Sequence, residues 1–76
     1  MNLLNENKEK MDKTEHEVLK AKFLQLIANV PFPLREQIIA VVDNQPVSWN
    51  VAFGEIKQDT NKSQEILRHL KQIGLL

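Results

Sequence analysis

The segment Val30-Pro31-Phe32-Pro33 cuts the chain in two. Pro31 has no amide donor and drives Val30 out of the helical region, and Pro33 does the same to Phe32. No helix runs through this point, and Phe32 is expected to tuck inward. One long rod is excluded, so any fold must be assembled from separate elements on either side of the break.

A chain of 76 residues supplies one compact domain at most, and a domain of this size buries only about 60% of the surface its unfolded form exposes. With 42% hydrophobic and 26% charged residues the composition is that of an ordinary globular chain. There is no cysteine, which removes disulfides, thiolate chemistry and Cys-type zinc sites, and with no secretory signal the expected compartment is the reducing cytoplasm. Apolar stretches are interrupted every few residues, far short of the roughly 18 to 20 needed to cross a bilayer.

Before the break, residues 1 to 13 hold three Asn and six charges with no sustained apolar period, which predicts a disordered N-terminal arm. Thr14 with Glu17 three residues on has the form of a capping box opening a helix that runs to about Asn29. Leu19, Phe23, Leu26, Ile27 and Val30 fall at helical spacing, with Ala21 and Leu24 widening the stripe. Two uses of that stripe are open: a homodimer through the helix at 14–29, or a monomer in which this helix covers the others.

After the break, Pro33 suits the first turn of a second helix, in which Leu34, Ile38, Val41 and Val42 recur at i, i+4, i+7, i+8 and which ends near Asp43 and Asn44. Gln45-Pro46-Val47 reads as a short extended connection. Ser48 is a candidate N-cap for a third helix with Trp49, Ala52, Phe53 and Ile56 on one face, stopping near Lys57. Asp59 or Thr60 caps a fourth helix bearing Ile66, Leu67, Leu70 and Ile73, and Gly74-Leu75 fits a left-handed helix end. The expected fold is all-α: a small four-helix domain over residues 14–76.

Its last thirty residues, a short helix, a polar turn and an amphipathic helix ending in Gly-Leu-Leu, have the form of a helix-turn-helix unit. The run Pro46-Val47-Ser48-Trp49 to Ile56, followed by Ile66-Leu67-Arg68-His69-Leu70-Lys71-Gln72-Ile73-Gly74-Leu75-Leu76, resembles the DNA-binding core of winged helix-turn-helix regulators of the ArsR, MarR and HxlR type. Leu67, Leu70, Gly74 and Leu75 occupy the matching places, and the resemblance covers residues 34 to 76. It implies a sequence-specific transcriptional regulator that binds double-stranded DNA, with the helix at about 61–73 as recognition helix. Its contact residues would be Asn61, Lys62, Ser63, Gln64, Arg68, His69 and Lys71, with Gln64 suited to adenine and Arg68 to guanine. Three features depart from the family pattern. The turn has no Gly and is about one residue longer than the commonest form, no β-hairpin wing is contained in these residues, and the formal net charge is zero.

Lys57, Lys62, Arg68 and Lys71 against Asp59 and Glu65 leave a local excess of two positive charges, a weak attraction for phosphate. The bland counterpart of the contact set is the solvated face of an amphipathic helix. Trp49 and Phe53 sit at helical spacing and are expected in the core, not as base-stacking platforms. His16 and His69 have no neighbours at metal spacing, and no nucleophile, paired carboxylates or phosphate loop suggests an enzyme or a cofactor. The rival to DNA binding is a helical protein-interaction module or adaptor subunit, which the zero net charge favours.

Overall fold

The computed structural model describes residues 12–76. Helix α1 spans Lys13–Ala28, a 3-10 segment Phe32–Glu36, strand β1 Ile38–Val42, strand β2 Gln45–Ser48, helix α2 Trp49–Lys57 and helix α3 Asn61–Gln72. The expected disordered arm lies outside the described residues except for Asp12 and Lys13, which belong to the start of α1.

Asp12, not Thr14, caps α1: its carboxylate accepts the Glu15 amide at 2.7 Å, so the helix opens two residues earlier than a Thr14–Glu17 capping box would place it. At the other end the proline break holds, but Phe32 does not tuck inward; it is 77% exposed. The reason is Arg35. Its guanidinium donates to the Ile27 carbonyl at 2.8 Å, which also accepts the Val30 amide, and to the Val30 carbonyl at 2.9 Å, and it stacks 4.3 Å from the Phe32 ring.

The expectation of an all-α four-helix domain is overturned here. The segment read as a second helix is a 3-10 turn followed by β1, and the connection Gln45-Pro46-Val47 is part of β2, so the described chain holds three α-helices and a two-stranded antiparallel sheet. Two local causes favour the strand. Four of the five residues of β1 are β-branched, which fits a pleated surface better than a helix. Asp43 and Asn44 both take left-handed backbone (φ 53° and 64°), the pair of conformations that closes a two-residue hairpin with the right twist. Val42 then pairs with Gln45, Val41 with Pro46 and Ala40 with Val47, while Ile39 is an extra residue with no opposite number before Ile38 meets Ser48.

The remaining helices follow the sequence closely. The Ser48 side chain caps α2 by accepting the Val51 amide at 3.1 Å, and Thr60 caps α3. Gly74 adopts φ 87° after α3, with the Gly74 amide donating to the Lys71 carbonyl and the Leu75 amide to Leu70 at 3.1 and 3.0 Å, the two bonds of a Schellman end. Ile73, expected on the buried stripe, lies instead in this terminating turn and is half exposed.

All these elements contribute to one core: Leu19, Phe23 and Ile27 from α1, Val42 and Val47 from the hairpin, Ala52 and Ile56 from α2, and Ile66, Leu67 and Leu70 from α3. Trp49 and Phe53 pack against it, the Trp49 ring 5.7 Å from that of Phe23. The α1 stripe is therefore consumed inside its own chain, and only Val18 and Leu26 among its large apolar side chains remain exposed. The homodimer expected through this helix gains no support from the fold. Among the described residues no helix is long and apolar enough to cross a membrane.

Candidate nucleic-acid interface

Lys57 ends α2, and Gln58-Asp59-Thr60 reverses the chain into α3. Asp59 takes the left-handed position (φ 55°) that Gly fills in many such turns. It is held there from outside the turn, because its carboxylate accepts Lys20 Nζ of α1 at 2.9 and 3.1 Å and lies 3.4 Å from His16 Nε2. Hydrogen bonding to Lys20, and then to His16, holds the Asp59 carboxyl below its ordinary value. The segment from α2 through the turn to α3 is thus tied to α1 by polar contacts as well as through the core. A second tie joins Lys71 near the end of α3 to Glu15 of α1.

Thr60 completes the start of α3. Its hydroxyl oxygen accepts the Ser63 amide at 3.1 Å and its hydroxyl proton goes to the Glu55 carboxylate, while Ser63 Oγ donates to the Thr60 carbonyl at 2.6 Å. Ser63 is fully buried by this arrangement. It is a helix-start residue facing the core, so it drops out of the set that could reach a ligand.

The other expected contact residues separate into groups. Asn61, Gln64 and Arg68 are exposed, and their spacing of three and four residues puts them along one face of α3. Lys62 and His69 are half-buried, His69 lining the groove toward the hairpin, and Lys71 is directed to Glu15. The sequence-derived set is therefore only partly assembled: three side chains share an open face, two flank it, one is buried and one is bound to α1.

Between this face and the hairpin lies a groove of about 490 Å³, bounded by Val41, Val42 and Asp43 on one wall and by Glu65, Arg68, His69 and Gln72 on the other. Asp43 and Glu65 meet across it. The hydrogen bond that the Glu65 carboxyl can give Asp43 when it carries a proton, and then the Asp43 charge, hold Glu65 above its ordinary carboxyl value, and Arg68 and Lys62 offset this in part. Helical spacing hides Asp43 from the site by placing it at the end of a helix; the signal that reveals it is its position with Asn44 between two apolar runs. With Glu55 at the Thr60 cap, carboxylates border the opening of α3 on two sides.

Among the described residues no group of three or more His, Cys, Asp or Glu is placed to hold a metal ion. Comparison with protein-family models, with curated proteins and with solved structures returns no match to this chain.

Proposed function

We propose that the domain is a DNA-binding module of a transcriptional regulator, with α3 entering the major groove of a duplex. The observation that carries this reading is the single open face made by Asn61, Gln64 and Arg68 on the second helix of a helix-turn-helix unit. Amide side chains suit adenine edges, and a guanidinium suits guanine or phosphate. The carboxylates of Asp43, Glu55 and Glu65 repel phosphate, so the attraction to DNA is local to α3 and its salt dependence shallow. The absence of cysteine is in keeping with a reducing, cytoplasmic setting.

Fluorescence anisotropy with a pool of short duplexes at low ionic strength tests the proposal. Binding is expected, weakened in a double variant R68A/K62A, with a salt slope shallower by about one for each phosphate-binding cation removed. Absence of binding at low salt, or identical binding by the double variant across the salt series, overturns it.

A second reading, an adaptor that docks another protein, is favoured by one specific observation. Phe32, Leu34, Ile38 and Val51 leave 77%, 44%, 55% and 46% of their surfaces in solvent on a chain with no net charge. It becomes the working reading if the duplex experiment fails.

A further inference from the structure

Asp43 and Glu65 are brought together by main chain that the core holds in place on both sides. Val42 is buried and anchors the tip of the hairpin, and Asp43 follows it in left-handed backbone. Ile66 and Leu67, buried in the same core, fix the turn of α3 that carries Glu65. The two carboxyls line one groove, with Arg68 one turn further along α3 and His69 beside it. Like charges so placed repel, and a proton on one of them exchanges the repulsion for a hydrogen bond.

We infer that Glu65 is a proton-sensitive gate on the α3 face: protonated, it bonds to Asp43 and lets Arg68 draw in a duplex phosphate, and ionised, it sets a second carboxylate against that phosphate. This gate rests on the DNA-binding reading of α3 and adds its regulation. With both carboxyls ionised, two negative charges stand in the groove beside the single positive charge of Arg68; with Glu65 protonated the two signs balance. Affinity for DNA therefore rises as pH falls. The bond to Asp43, and then the Asp43 charge, move the Glu65 carboxyl up from its ordinary value toward neutrality, against a smaller pull from Arg68 and Lys62.

The other charged groups nearby are engaged elsewhere. Asp43 is the one titratable side chain of the hairpin. On α2, Glu55 accepts the Thr60 hydroxyl and Lys57 lies over the Phe53 ring. On α1, Glu15 meets Lys71, and Lys20 and His16 meet Asp59. His69 shares the groove, so its titration has to be separated from that of Glu65.

Fluorescence anisotropy of the full chain with the pool of short duplexes at low ionic strength, from about pH 8 to about pH 4.5, tests the gate, with circular dichroism confirming the fold at each pH. H69Q, which removes the other titrating group of the groove, should bind more tightly toward acid by about threefold, the effect of one unit charge at about 7 Å in water. E65Q/H69Q, whose amide keeps a donor for Asp43 and cannot ionise, should bind near pH 8 as tightly as H69Q does in acid, with no rise. D43N/H69Q, which removes the charge opposite Glu65, should move the rise to lower pH. The same rise in H69Q and E65Q/H69Q, or a D43N/H69Q profile identical to that of H69Q, overturns the gate and leaves DNA binding standing. No binding by any of these proteins or the parent at any pH overturns the DNA-binding reading, and the gate with it.

Discussion

Asp59 holds a conformation that costs most residues energy, and its side chain is what makes the position tolerable. D59G relieves the backbone while giving up the bonds to Lys20 and His16, whereas D59A gives up the same bonds and keeps the left-handed φ. D59A should therefore be the less stable of the two by about 1 kcal/mol in urea unfolding. The carboxyls at the two ends of the α3 opening act on stability in opposite directions with pH. The folded-state pKa of Asp59 is lowered, so its contribution is present above the ordinary carboxylate range and is lost as pH falls through the folded value. That of Glu65 is raised, so its contribution is present at acid pH and is lost as pH rises through the folded value. Thermal melts of D43N against pH should show the variant gaining relative to the parent at pH 7 and losing that gain near pH 4. A constant difference between the two proteins would mean that Asp43 and Glu65 are not coupled.

At the scale of elements, the three helices were legible because each carries its own start and stop. Ser48 caps α2, Thr60 caps α3, and Gly74 ends α3 in the backbone that only glycine takes freely. The hairpin was not legible from apolar spacing. Leu34, Ile38, Val41 and Val42 fit a helical period, and the same stretch, with four β-branched residues before Asp43-Asn44, fits a strand and a tight turn. A helix there would have had to place that β-branched run against its own preceding turn, whereas the turn residues already satisfied the hairpin. The candidate face was legible in part. Helical spacing brought Asn61, Gln64 and Arg68 together, but it could not reveal that Ser63 turns inward to Thr60 or that Lys71 reaches Glu15, since both depend on what lies beside α3. N44G should stabilise the hairpin by about 0.5 to 1 kcal/mol, because φ 64° strains Asn and not Gly; a circular dichroism melt checks this. Replacing Thr60 by Ala leaves the Ser63 amide without its acceptor and should cost about 1 kcal/mol.

For the molecule as a whole, stability is concentrated in a few side chains because the core is small. Phe23 is fully buried where α1 meets the rest of the chain, and F23A should cost about 3 to 5 kcal/mol, enough to unfold much of a domain of this size at room temperature. By comparison the exposed pair of Lys71 with Glu15 contributes at most about 1 kcal/mol, so K71A should leave the melting temperature nearly unchanged. It therefore separates binding from stability: weaker DNA affinity in that variant reports an electrostatic effect and not a damaged fold. Arg35 works at the same scale with a different outcome. One planar cation caps the last carbonyls of α1 and covers Phe32, and lysine, a single point donor, cannot do both. In R35K every helix and strand would remain intact, yet the corner between the first helix and the sheet would act as a loose joint, swinging as a hinge where the native chain is latched.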